Sequence, residues 1–307
     1  MRSARASRIA LVAWLVGLVA IGLLMRSAST EEKGRVNPRQ LHPEIWEKSG
    51  HEKIKVLVYG GGVIHDFKGI NQAVMEILGA YPQLEPTSIT DTLEPPPPAE
   101  PGKPAPKPVV KSALDEMLAK LPQYDVLFFH HTGGKMTPEQ EKTFCDLIAS
   151  GKGYVGIHSA ADSFKSNAKY IEMIGGSFIK HPAYGEINVT VRDPEHPIMK
   201  DIPREFTVRD EQYLLKHDPA KLHVLADAPY KFVVTKEVVE NKDGKEVKRR
   251  VPTGEVETGV MPCVWVKPWE KGRVVYISFC HDVKAVQQDV VKKILAQSVI
   301  WGGTPTP

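Results

Sequence analysis

Gly153–Asp162 reads GYVGIHSAAD. A short apolar run passes without a polar break into small residues, the pattern of a buried strand turning sharply into a helix. Such an elbow lifts its central side chain to the carboxyl end of a sheet, where acyl-transfer enzymes carry Ser or Cys. Here the centre is His158, and Ser159 lies one residue off the apex. A tight turn that needs small residues explains the same stretch without any chemistry.

Segments of the same kind lie on both sides. Ile54–Gly60 (IKVLVYG), Asp125–His130 (DVLFFH), Met261–Val266 and Arg273–Phe279 are apolar runs of strand length, and Thr87–Thr90 allows a short second strand. Between them the spacing predicts helices over Lys68–Tyr81, with Ile70, Val74, Ile77 and Leu78 on one face, and over Ser112–Leu121. Thr137-Pro138-Glu139-Gln140 is a helix start, with an N-cap Thr, Pro at the first position and Gln at the third. A further helix runs through Tyr170 and Ile174, and a closing one from about Val283 to Trp301. Strand and helix in alternation predict an α/β fold with a doubly wound, mostly parallel sheet flanked by helices. Ile187–Val191 (INVTV) alternates, as an edge or antiparallel strand does.

The 307 residues suit one large α/β domain or two small ones, and 42% hydrophobic with 25% charged residues is a globular balance. A net charge of +3 is too small to mark a nucleic-acid binder. Three cysteines, Cys145, Cys263 and Cys280, form neither a disulfide framework nor a C-x-x-C pair. Arg2, Arg5 and Arg8 precede an apolar run from Ile9 to Met25, so residues 1–29 read as an export signal or a retained membrane anchor. Either places the remainder outside the cytoplasm, periplasmic or extracellular. Residues 30–52 read as a linker and 53–302 as the domain. Two insertions interrupt it: a proline-rich segment over 94–109, and a charged β-hairpin over 233–256 with Asp243-Gly244 at its turn. Both are expected to be peripheral, since neither has a continuous apolar face.

In sheets of this type ligands collect at the carboxyl ends of the parallel strands. His65-Asp66 follow the first strand, His130-His131 the third, and His281-Asp282 the last. With His158, His181-Pro182 and the run Asp210-Glu211-Gln212-Tyr213, these residues are candidates for one rim. Imidazole suits acid–base work or metal ligation near neutral pH. Taken singly, a strand-end histidine is more often a satisfied structural residue. Gly60-Gly61-Gly62 resembles a phosphate cradle, but G-x-G-x-x-G fails because its sixth position is His65, and Asp91 lies late for a ribose-binding acid.

GYVGIHSAAD, IGGSFIKHP (Ile174–Pro182), DPEHPI (Asp193–Ile198), DEQY (Asp210–Tyr213), GRVVYISFCHD (Gly272–Asp282) and the early GGGVIHD together resemble the trehalose-utilisation (ThuA-like) family. The resemblance implies a flavodoxin-like, class I glutamine amidotransferase-like sandwich. It also implies that His158 stands where an amidotransferase has its catalytic Cys, with His281 in the region of the later His, so that glutaminase chemistry by a thiolate is not expected. The family is associated with sugar catabolism, often beside oxidoreductases that make keto-sugars.

The expectation that follows is an exported protein acting on a small carbohydrate or keto-sugar derivative. His158 is the central acid/base, with Glu211, His281 and His65 as the other catalytic candidates. Asp66, Asp162, His181, Asp210, Tyr213 and Asp282 are candidates for binding hydroxyls or orienting imidazoles. No cofactor is required, although His65, His158, His181, Glu211 and His281 are candidate ligands for a divalent metal, zinc first among them. No nucleic-acid partner is expected, membrane contact only through a retained N-terminal anchor, and the oligomeric state is left open. The alternative is a non-catalytic sugar-binding or scaffold module on a degenerate amidotransferase-like fold. Convergence of the histidines favours the enzyme; a scattered or filled rim favours the module.

Overall fold

In the computed structural model, which describes residues 53–62, 64–94, 109–242 and 245–304, five parallel strands form the centre of the protein. The N-terminal segment and linker, the proline-rich stretch between 94 and 109, and the Asp243-Gly244 turn lie outside the described residues. Strand β1 (Ile54–Gly61) sends Val56 and Val58 to one face and Leu57 and Tyr59 to the other, and both faces are buried. Helix α1 (Phe67–Gly79) crosses to β2 (Leu84–Thr90), which starts three residues earlier than the β-branched run indicates. The ends of the proline-rich insertion are brought together by a small antiparallel ladder of β3 (Thr92–Glu94) and β4 (Val109–Lys111), in which Glu94 faces Val109.

Helix α2 (Leu114–Lys120) leads to β5 (Val126–His131), all six residues of which are buried. Helix α3 (Pro138–Ala149) opens with a full capping box between Thr137 and Gln140 and leads to β6 (Gly153–Ile157). After α4 (Ala168–Ile174) the chain turns antiparallel: β7 (Gly176–Lys180), β8 (Gly185–Val191), β9 (Glu205–Asp210), β10 (Leu214–His217), then the long pair β11 (His223–Lys242) and β12 (Lys245–Trp269). Strand β13 (Gly272–Ile277) returns to the parallel set beside β6. The closing helix is broken at Gln287-Gln288 into α5 (Val283–Val286) and α6 (Asp289–Gly302), where the sequence pattern predicts one helix.

The nine-stranded sheet runs β2-β1-β5-β6-β13-β12-β11-β8-β9. Its first five strands are parallel and have the 2-1-3-4-5 order of the flavodoxin-like folds. The last four are antiparallel to their neighbours. One apolar cluster, with α1 and α6, covers one face; α2, α3 and α4 enclose the other around Tyr59, Phe129, Tyr154 and Tyr276. The sheet therefore presents its polar strand ends at one rim, where β1, β5, β6 and β13 all finish. Among the described residues no helix is long and apolar enough to cross a membrane.

Candidate functional site

The elbow after β6 is built as its small residues suggest. The backbone of His158 lies in the left-handed region (φ 40°), a conformation that costs a non-glycine residue free energy and needs support from its surroundings. That support comes from β13: the Tyr276 hydroxyl donates to the His158 carbonyl (2.7 Å), and His158 Nδ1 lies 3.0 Å from the Ser278 carbonyl. A carbonyl only accepts, so Nδ1 carries the proton and the Nε2 lone pair is free to face the rim. The imidazole is fully buried, packed on the Tyr213 ring at 3.9 Å between centroids.

Three further groups meet that lone pair. His281 Nδ1 lies 3.3 Å from His158 Nε2 and 2.9 Å from Glu211 Oε2, while Glu211 Oε2 is 3.6 Å from His158 Nε2. His65 stands edge-on to His158 and His281, with centroids at 5.1 and 5.0 Å, and its Nδ1 is 2.9 Å from Thr132 Oγ1. One ligand atom from each of His65, His158, Glu211 and His281 falls within 4.8 Å of all the others. His181 sits outside this group of four, its Nδ1 3.6 Å from the other Glu211 oxygen, Oε1.

The electrostatics follow from the crowding. Burial alone would raise the Glu211 carboxyl, but the imidazoles of His158, His181 and His281 around it hold it below the ordinary glutamate value. Burial, then the positive charge that His158 and His281 can carry, push His65 down to about 3, so this imidazole is neutral at physiological pH.

Glu211 belongs to the far edge of the sheet, and Asp210 brings it back. The Asp210 carboxylate is buried and accepts from the backbone N–H of Cys280 (2.6 Å), Glu211 (2.7 Å) and His281 (3.2 Å). Burial nevertheless raises its carboxyl above the usual aspartate value. Asp210 is thus a clamp between the ends of β9 and β13. Tyr213 offers its ring, packed at a tilt between His158 and Phe178, where the sequence suggests a polar contact. Asp66 and Asp282 cap α1 and α5, accepting from the Gly69 and Ala285 amides, and Asp162 pairs with Lys165. These three stand beside the cluster without joining it.

His130-His131 also divide. His130 is fully buried beside Phe67, with centroids at 4.8 Å, and neither ring nitrogen has a hydrogen-bond partner among the described residues. Burial holds it well below the ordinary histidine value. His131 stacks on Phe164, approaches Asp91 (3.6 Å) and pairs with Ser163 (3.1 Å). Asp91 in turn accepts from Tyr59 Oη (2.7 Å), Ala113 N (2.8 Å) and Gly62 N (3.2 Å). This explains the glycines. A Cβ on Gly61 would fall 2.2 Å from the Asp91 carboxylate, and Gly62 has φ +105°. The triple glycine admits a buried carboxylate and turns the chain toward His65. Thr132, Tyr276 and Ser278 are supporting residues that sequence reasoning did not single out, although Tyr276 and Ser278 fall within GRVVYISFCHD. Only their places at or next to the ends of β5 and β13 could have pointed to them.

The group of four can hold a divalent cation. Four ligand bonds of about 2.0–2.1 Å in tetrahedral array place ligand atoms about 3.3 Å apart. The triangle of His158 Nε2, His281 Nδ1 and Glu211 Oε2 has edges of 3.3, 2.9 and 3.6 Å. The Nδ1–H of His158 bound to a carbonyl is the outer-shell partner that a metal-binding imidazole commonly has.

Comparison with solved structures gives the same architecture. A ThuA-like protein from Parabacteroides merdae superposes with a TM-score of 0.59 at 16% identity, over 83% of this chain and 92% of that one. One from Bacteroides uniformis gives 0.56 at 18% identity, over 82% and 92%. No curated protein matches the chain. The family model described as ThuA, trehalose utilisation, matches residues 55–302, nearly the whole described domain, and the chain belongs to the ThuA family.

Proposed function

We propose that this protein is a carbohydrate-active enzyme whose centre is the cluster of His65, His158, Glu211 and His281, holding a divalent cation of the zinc type. The observation that carries the proposal is the convergence of three imidazoles and one carboxylate, from four separate loops, within 4.8 Å. The protonation pattern supports it. His65 is held neutral at physiological pH, and with the His158 Nδ1–H committed to the Ser278 carbonyl, Nε2 is the atom His158 turns to the cluster. Glu211 is ionised and supplies the negative charge. Bound there, such a cation would lower the pKa of a water and polarise a carbonyl oxygen.

The chain's own groups would move the protons. With Glu211 Oε2 and His281 Nδ1 turned to the cation, the other Glu211 oxygen, Oε1, which faces His181, is left to take up a proton. His181, 36% exposed in its side chain, contacts Glu211 from the solvent side and can exchange that proton with water. The description of the family as trehalose utilisation supports a carbohydrate, or its keto derivative, as the substrate class. The cysteines do not support thiolate chemistry: all three are buried, and burial raises the Cys280 thiol well above its ordinary value. The Arg2-to-Met25 pattern supports action outside the cytoplasm.

The test is a screen of the purified protein, with zinc added, against disaccharides and their 3-keto forms. Product is expected with the intact chain and is lost in His158→Ala and in Glu211→Gln. Equal turnover by folded variants, checked by circular dichroism, would remove the proposal.

A further inference from the structure

Beside the cluster runs a groove of about 610 Å³, within the size range of small-molecule sites. One wall is the end of β7 and the loop after it, including Ile179, His181 and Pro182. The other is the base of the long hairpin, including Val233, Thr235 and Arg250. His181 belongs to both places, since it lines the groove and its Nδ1 lies 3.6 Å from Glu211 Oε1. The groove therefore adjoins the cluster through His181.

One side chain spans the two walls. The Lys180 ammonium lies 4.4 Å over the Phe232 ring and 2.7 Å from Glu257, so a single side chain ties the loop to both strands of the hairpin. The hairpin also bends at this point. Val233 faces Val256 and Thr235 faces Pro252, which leaves one residue on β11 opposite three on β12, Gly254 among them with φ +86°. A bulge of this kind re-aims a strand. Here it wraps Val233–Thr235 around the groove.

The lining is chemically mixed. Ile179 and Val233 leave 56% and 48% of their surfaces exposed and give the groove an apolar part. Arg250 has no ion pair among the described residues, because its cross-strand neighbour Glu237 is taken by Lys248 at 2.9 Å. The C–H faces of a sugar ring match the first pair, and its hydroxyls match the planar guanidinium and the Thr235 hydroxyl.

We infer that this groove is a subsite for a second sugar ring, so that the ligand is a disaccharide or larger glycoside spanning the cluster and the hairpin. The inference rests on the carbohydrate reading proposed above. It gives the charged hairpin a role in recognition, in contrast to the peripheral part expected from its sequence.

The test compares binding of glucose with that of trehalose, maltose and cellobiose to the zinc-supplemented full chain by calorimetry. At least one disaccharide should bind about 10-fold or more tightly than glucose, and Thr235→Ala/Arg250→Ala should erase that advantage while leaving glucose unchanged. Both substitutions are at exposed positions, so folding should be unaffected. His158→Ala, by contrast, should weaken glucose and disaccharide together. The subsite is overturned if no disaccharide binds more tightly than glucose, or if the double variant leaves the advantage intact. If the double variant erases the advantage while His158→Ala changes nothing, the groove stands and the assignment of the cluster falls.

Discussion

The two halves of the sheet differ in what holds them and in what they contribute. The parallel half, β2-β1-β5-β6-β13, has β1, β5, β6 and β13 buried on both faces and supplies His65, His158 and His281 from its strand ends. The antiparallel half, β12-β11-β8-β9, ends in a two-stranded arm of mostly exposed residues and supplies Glu211 from its outermost strand. The imidazoles are placed by local strand geometry. The carboxylate that completes them is placed by one buried side chain, Asp210, reaching the backbone of residues 70 positions away. The parallel half is thus the frame of the site, and the antiparallel half is the part that closes it.

The sharpest way to break this comparison is to cut into each half. Phe128 is fully buried in β5, and Phe128→Ala should cost about 3–5 kcal/mol of stability in urea unfolding. A cost of less than about 1 kcal/mol would mean that the parallel half is not the frame.

Asp210→Ala should have the next largest effect. It strands buried amides of Cys280 and His281, at a cost on the order of 1–3 kcal/mol. It should also release Glu211 from His281, seen as altered shifts of the His281 ring in NMR spectra. Unchanged spectra would show that the edge strand is held by something else.

Between these and the smallest effect stands a pH dependence carried by His65. Its folded-state pKa of about 3 lies below the value of about 6.5 in an unfolded chain. The unfolded state therefore takes up the proton first as the pH falls. The contribution of neutral His65 is complete above about 6.5 and is lost progressively toward about 3. With a chelator present, the native chain should lose more stability than His65→Gln between pH 6.5 and 4. An NMR titration of His65 near 6.5 in the folded protein would contradict this.

At the far end of the scale, Val239 on the hairpin is 52% exposed, and Val239→Ala should change stability by no more than about 0.5 kcal/mol. A larger loss would mean that the arm is packed against a partner.

Legibility in the sequence follows the same division. Strands β1, β5, β6 and β13 are short apolar runs whose burial on both faces leaves a continuous pattern, and the Thr137 capping box marks its helix by local chemistry alone. His65, His158 and His281 could be named because they directly follow such strands. Glu211 could be named as a candidate, but its position depends on a contact between strands that β12, β11 and β8 separate. No periodicity encodes that. Nor could alternation along β5 reveal which of His130 and His131 would face the rim; the structure turns His130 into the core and His131 toward Asp91. The break at Gln287-Gln288 was hidden because both residues suit a helix. It arises where the Gln288 side chain accepts from the Arg209 amide (2.8 Å) and donates to the Arg209 carbonyl (3.2 Å), another long-range tie to β9.

The most direct measurement is a calorimetric zinc titration of the full chain after removal of bound metal with a chelator. The expected result is one ion per chain, with affinity reduced by about 100-fold or more in His158→Ala and in His281→Ala, and by less in His181→Ala. His181 is the control because it contacts only the outer oxygen of Glu211. No saturable zinc binding, or binding that His158→Ala and His281→Ala leave intact, would contradict the assignment of the cluster as a metal centre.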